Sequence, residues 1–253
     1  MIPPKERISR RKFFKYCFEA TEALLLPDFL RSPFDGRPIL QVETTKPYVA
    51  VTIDDGVFPK EVERFLSTAA EYKTKCTVFP VGGLMRKNPS LWREVASADH
   101  EIGNHSHSHL NVSESTKAAI LRDFSIFETE DYPEVIGSPF PVPGLARVPY
   151  ALGPINVDVQ KVIASLQDLH VHWRIDSYSW KKGGQDSNEN LAYVMARMAQ
   201  IRQGDIIILH FNPLDITALP YILDLITAKG LENVTFSTLW HHRRQIMKKR
   251  TRP

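Results

Sequence analysis

The sequence predicts an α/β protein of parallel strand–helix–strand units, closed as a barrel or laid out as a doubly wound sheet. Three observations predict it. Short β-branched runs alternate with helix-period segments from Lys46 onward. The length of 253 residues suits one large domain of this kind, or two small ones. Reactive side chains also fall at the carboxyl ends of the strand-like runs, where parallel α/β folds carry their sites.

The elements follow in order. The run "YVAVTI" (48–53) is a strand that ends in "DDG". In "PKEVERFLSTAAEYK", Val62, Phe65, Leu66, Ala69 and Tyr72 share one helical face. "KCTVFPV" is the next strand, and "NPSLWREVAS" a helix with proline in its first turn. "HEIGN" is a short strand, and "SESTKAAILRDFSIFE" a helix with Ile120, Leu121, Phe124 and Phe127 as its stripe. The Pro-rich stretch "YPEVIGSPFPVPGLARVPYALGP" reads as a functional loop, being long for a mere connector. "NVDVQKVIASLQDL" is helical, "HVHWRI" a strand, "NENLAYVMARMAQIR" a helix and "DIIILH" a strand. "PYILDLITAKG" is a helix with a glycine stop, and "NVTFS" the last strand.

Composition narrows the function classes. A net charge of +3 is too small to argue for nucleic acid, and much of it lies in the terminal runs "KERISRRKFFK" and "HHRRQIMKKRTRP". No run approaches the ~18 apolar residues of a membrane-spanning helix. Two cysteines, Cys17 and Cys76, make neither a disulfide framework nor a zinc knuckle, and Cys76 in "CTVFPV" reads as a small buried hydrophobe. "SRRKFFK" (9–15) has the look of a twin-arginine export signal, although Glu19 and Glu22 interrupt the apolar region after it. The alternatives are export to the periplasm or, if this segment is a surface helix, a cytoplasmic protein. The expected organisation is an N-terminal extension (1–45), a catalytic domain (46–240) and a basic tail (241–253).

Four strand ends carry chemistry: Asp54 and Asp55, His105, Asp176, and His210. Along a regular strand adjacent aspartates point to opposite faces, but Gly56 lets the backbone turn so that both reach one centre. Like charges that close require a cation or a proton between them. In "HEIGNHSHSHL" (100–110) histidines alternate with serines. Metal–nitrogen bonds of about 2 Å put ligand atoms roughly 3 Å apart. In an extended strand residues four apart are ~13 Å apart, so i, i+2 would be the working pair. On a turn, i, i+4 is. Gly103 and Asn104 break the strand, which favours His105 and His109 as the pair and turns His107 elsewhere. Two imidazoles and a carboxylate leave open positions for water and substrate and suit a divalent metal, zinc first, with cobalt, nickel or iron as alternatives.

These motifs resemble those of the polysaccharide deacetylase family, the NodB-homology domain of family 4 carbohydrate esterases. "TIDDG" (52–56) resembles T-F-D-D-G, and "DHEIGNHSHSH" (99–109) resembles GHEIGNH(S/T)xxH. "RVPYA" (147–151), "HWRIDSYSW" (172–180) and "IILH" (207–210) are similar to R-P-P-Y-G, W-x-x-D-x-x-D-W and L-x-H, in the family's order. The resemblance implies a distorted (β/α)7-type barrel and a metal-dependent deacetylase acting on an acetylated glycan, N-acetyl first. It implies Asp54 as general base and Asp55, His105 and His109 as metal ligands. Arg147 would orient Asp54, the Tyr150 backbone N–H would hold the oxyanion, and His210 would be the general acid. Asp176 would hold His210 in its tautomer, with Leu209 and Trp180 lining the acetyl pocket. Ser179 stands where the family block has its second aspartate, and Ala151 where it has glycine. The rival readings are a hydrolase of a small non-peptide amide on the same scaffold and a catalytically inactive glycan-binding relative.

Overall fold

The structure is a computed structural model describing residues 34–250, except 138, 139, 141, 143 and 152–155, and without the side chains of 244–250. The export-signal-like run, Cys17 and the last three residues of the tail lie outside the described residues.

Strand β1 (Tyr48–Asp55) is the centre of the sheet. Parallel neighbours β2 (Thr77–Pro80) and β3 (Glu101–Ile102) lie on one side of it. β7 (Ile206–His210) and β6 (Ile175–Asp176) lie on the other, again parallel. A second parallel pair, β4 (Leu145–Ala146) and β5 (Leu169–His170), joins the wall through the bridge of Asn104 to Ala146. The wall therefore runs β6-β7-β1-β2-β3-β4-β5, with β5 and β6 linked by chain but not by a ladder: a distorted seven-stranded barrel. A short β8 (Glu232–Asn233) pairs with the start of β1.

Alternation along β1 sorts the interior from the exterior. Val49, Val51 and Ile53 join the main core with helix α1 (Pro59–Glu71), α2 (Pro89–Ser97), α5 (Asn188–Met198) and α6 (Pro213–Ala228). Ala50 faces the other way, packing with Phe79, Ile206 and the first turns of α7 (Phe236–Arg250), whose Phe236, Leu239 and Trp240 close the bottom. Helices α3 (Lys117–Ile126) and α4 (Val157–Leu166) form a third cluster against Ala146 and Val148. Cys76 is fully buried, and burial pushes its thiol up to about 12.

Several expectations are corrected here. "HVHWRI" is not one strand: β5 ends at His170 and β6 begins at Ile175, in different sheets. The Pro-rich stretch contains β4. "NVTFS" does not continue as strand past Asn233, because Phe236 starts a helix that plugs the barrel. Helix α6 begins at Pro213 and carries Pro220 inside it. The packed unit also starts before residue 46: Ile39 pairs with Val171, Gln41 with Asp205, and Val42 is buried. At the other end, α7 runs unbroken across the boundary expected at 240.

Candidate metal centre and acid–base site

The register of β1 and β7 sets Asp54 directly opposite His210, and β2 places Asp55 beside Pro80. Asp55 leaves the strand at φ 81, followed by Gly56 at φ 92. That left-handed step swings the second carboxylate of "DDG" round to the rim that the first one faces. A side chain at position 56 would have its Cβ 2.5 Å from the Trp92 ring, so glycine is required by space as well as by conformation.

The histidine run is a turn. Ser106 (φ 63) and His109 (φ 57) are left-handed, and the Ser106 hydroxyl accepts the His109 N–H at 3.1 Å. Asn104 anchors the start of the turn, accepting the Ser106 N–H at 2.8 Å and donating to the Phe124 carbonyl at 3.0 Å. Asp123 accepts both the N–H and the hydroxyl of Ser108. Within this turn the His105 and His109 rings come to 5.1 Å, edge to face. Their Nε2 atoms lie 3.5 and 3.3 Å from Asp55 Oδ1. His107 points away, its Nδ1 2.8 Å from the buried Asp131.

The three side chains fit a metal on the structure's own terms. Asp55 Oδ1 is buried with no hydrogen-bond partner, as a ligand oxygen would be. His105 Nδ1 lies 2.8 Å from the Arg147 carbonyl; donating there leaves Nε2 bare for coordination. Asp55, His105 and His109 offer ligand atoms that all lie within 4.8 Å of one another. The electrostatics also call for a cation. Burial works to raise the Asp55 pKa, but contacts with His105 and His109 overcome it and hold the carboxyl far below its ordinary range. Burial works to lower His105, and the charges of Asp54 and Asp55 overcome that, raising it.

Asp54 is tied differently. Arg147 is fully buried inside the barrel, and its Nη1 donates to Asp54 Oδ1 and to the Thr52 hydroxyl, each at 2.7 Å. Nε and Nη2 donate to the Val171 and His172 carbonyls, and the guanidinium stacks 4.2 Å from the Phe79 ring. Every arm of the fork is held, so Asp54 is fixed to the opposite wall. Its Oδ2 remains, 3.7 Å from His105 Nε2.

Tyr150 lies in a single tight turn, Pro149–Ala151, at φ 61, with its ring 4.5 Å from His109. Ala151 shares the left-handed conformation at φ 58, the geometry for which glycine carries no penalty. Of nine non-glycine residues with positive φ among the described residues, six are at this rim: Asp55, Ser106, His109, Tyr150, Ala151 and Tyr178. Strain gathered in this way marks a functional rim.

On the acid side the expectations need two corrections. Leu209 does not share the face of His210. Strand period 2 puts Ile208 on that face and sends Leu209 into the core under the helices. Asp176 is not the side chain against His210 Nδ1: its Oδ1 accepts the Tyr178 N–H at 2.7 Å, while Asp215 Oδ2 lies 3.6 Å from that nitrogen. Trp180 stands on the turn after β6, 56% exposed, beside Tyr178. Burial alone would depress the His210 pKa, but Asp215 and the charges of Asp55 and Asp54 raise it to about 9. Burial raises Asp176. A pocket of about 430 Å³ opens beside the candidate metal ligands, lined by Asp55, Val57, Leu84, Lys87, His107 and His109 among others. Asp123 and Asp215 were not singled out from the sequence. Asn104 was singled out only as a strand breaker directly before the histidines, not as the anchor of their turn.

A buried carboxylate held by arginine, three side chains that could hold a metal ion and a protonatable imidazole around one rim are the parts of a metal-type hydrolase. The comparisons narrow the class. The family profile described as polysaccharide deacetylase matches residues 41–167, which carry Asp54, Asp55, His105, His109, Arg147 and Tyr150. A peptidoglycan-N-acetylglucosamine deacetylase of Bacillus cereus is 30% identical over 209 residues, covering 80% of this chain and 92% of its own. A chitooligosaccharide deacetylase of Rhizobium leguminosarum bv. trifolii is 32% identical, covering 64% of this chain and 70% of its own. The structure of peptidoglycan deacetylase PdaC from Bacillus subtilis matches at TM-score 0.68 and 25% identity, covering 83% of this chain and 97% of that one. A family 4 pseudoenzyme from Bacillus anthracis shares the fold at TM-score 0.70 and 22% identity, covering 83% of this chain and 69% of that one. The chain belongs to the polysaccharide deacetylase family, hydrolases of acetyl groups on glycans. No helix among the described residues is long and apolar enough to cross a membrane.

Proposed function

We propose that this chain removes N-acetyl groups from a glycan of the peptidoglycan or chitin type, using a divalent metal, zinc first, held by Asp55, His105 and His109. The observation that carries this reading is the register of β1 and β7, which puts Asp54 and His210 at adjacent strand ends with the three ligand side chains beside them. When bound, the metal supplies Lewis acidity toward the acetyl carbonyl. The remaining work belongs to side chains. Asp54, fixed through Oδ1 by Arg147, takes the proton of the attacking water on Oδ2. The Tyr150 backbone N–H hydrogen-bonds the oxygen on which charge develops. His210, protonated at neutral pH, donates a proton to the departing amine. Trp180 and Ile208 bound the acetyl group, and the pocket beside His109 takes the neighbouring sugar. Export through the twin-arginine-like run fits a cell-wall substrate.

The test is acetate release from N-acetylated chitooligosaccharides and from peptidoglycan, before chelation, after it, and after adding back zinc, cobalt or nickel. Release that vanishes on chelation and returns with metal is expected. Stoichiometric metal with no acetate from either glycan would overturn the reading and group the chain with the family's pseudoenzymes.

A further inference from the structure

The acid side holds a carboxylate for which the reaction above has no use. Asp215, in the first turn of α6, is fully buried. Four donors converge on its Oδ2: the Ser179 hydroxyl at 2.7 Å, the His210 backbone N–H at 2.8 Å, the Ser177 hydroxyl at 3.2 Å and the Asn212 amide at 3.3 Å. These contacts come from the turn after β6, from the end of β7 and from the start of α6, so the carboxylate is held from three directions. His210 Nδ1 lies 3.6 Å from the same oxygen. His210 Nδ1 and Asp215 Oδ1 are both buried, and among the described residues neither has a hydrogen-bond partner.

A buried donor or acceptor without a partner is costly. Here the lone imidazole nitrogen lies 3.6 Å from Oδ2 of the Asp215 carboxylate, only a few tenths of an ångström beyond hydrogen-bonding range, and the lone Oδ1 belongs to the same carboxylate. A donor short of an acceptor thus faces a carboxylate with acceptor capacity to spare. Asp176 does not compete for the place, since its Oδ1 holds the Tyr178 N–H.

We infer that Asp215 is the positioning residue of His210: its carboxylate accepts Nδ1–H, fixes that tautomer and aims Nε2 at the leaving group. Serine at 179 is part of the same device. Its hydroxyl ends 2.7 Å from the Asp215 carboxylate and helps to hold it, so a carboxylate placed at position 179 would reach the same spot. This inference rests on the proposed deacetylation, and the experiment separates the two.

Asp215→Asn is to be compared with wild type on an N-acetylated chitooligosaccharide and on an activated acetate ester, whose leaving group needs no proton. The expected result is a kcat loss of about 10–100-fold on the amide, the scale of an outer-shell partner. KM should stay within about twofold and the ester rate should change little. Adding Ser179→Asp to Asp215→Asn should recover much of the amide rate, which a merely structural aspartate would not predict. Equal losses on amide and ester, or an unchanged amide kcat, would overturn the inference. If Asp215→Asn does not fold, the 15N imidazole signals of wild-type His210 in the metal-loaded protein decide it. A proton on Nδ1 in the neutral ring supports the inference, and a proton on Nε2 alone overturns it. Wild type that releases no acetate defeats the proposed function, while the nitrogen signals still report on Asp215.

Discussion

The two halves of the rim are built in different ways. On the metal side, Asp54 and Asp55 are adjacent in sequence, and His105 and His109 lie in a single turn whose bends are held by its own Ser106 and by Asn104. On the acid side, His210 ends β7, Asp176 ends β6, and Asp215 arrives from α6. The first half is local and rigidly specified. The second exists only after three elements have packed. Metal ligation tolerates little error in position, so a short self-bracing segment suits it. A proton donor needs an orienting partner, and any element that reaches Nδ1 can supply one. The acid side is therefore the half free to be rebuilt.

Removing a histidine of the turn should have the largest effect. His105→Ala and His109→Ala should each lose stoichiometric metal after gel filtration and bring acetate release to background, because a site of three protein ligands cannot spare one. Either variant retaining full metal would show that the turn is not the ligand-bearing element. Next in size is Asp54→Asn. It should keep its metal, because position 54 supplies no ligand, and lose about 10²–10⁴-fold in kcat. Near-wild-type turnover with normal metal content would remove Asp54 from the chemistry.

His210→Ala probes the other half and should cost less on an activated ester than on the amide. Its pH dependence has a definite sign. The pKa is raised to about 9, so the protonated donor is present at neutral pH, and the amide rate should fall as pH rises through that region. The variant should lack this limb. A high-pH limb that persists in His210→Ala belongs to some other group. The smallest effect is expected at His107. His107→Ala breaks the contact with Asp131, which Arg86 also holds at 2.5 Å, and should retain stoichiometric metal and most activity. Loss of metal in this variant would shift the ligand pair by two residues and turn the run back into a strand.

Much of this molecule was legible in its sequence because the signals were contiguous. The alternation of strand and helix patterns, the breaking of the strand at Gly103 and Asn104, and the i, i+4 spacing of His105 and His109 follow from backbone geometry within a few residues. The same local logic went astray where a neighbour outside the window decided. "HVHWRI" has strand composition throughout. Yet its first part belongs with β4 and its last part with β7, so the chain must leave the ladder between them. The resemblance of "IILH" to L-x-H put Leu209 in the acetyl pocket, but the pleat gives that face to Ile208. Phe236 has strand propensity and instead starts the helix that closes the barrel floor, because the open end has to be covered.

By itself the sequence determined the parallel α/β architecture and two imidazoles with a carboxylate as a candidate metal site, since each is written in short runs of fixed chemistry; the choice of Asp55 as ligand and the pairing of Arg147 with Asp54 came through the family resemblance. Only the tertiary structure decided which carboxylate stands against His210 and which side chain of "IILH" faces the site. Those answers depend on register between strands and on where a helix docks. Pairing energies across the barrel set both, and no local pattern of residues encodes them.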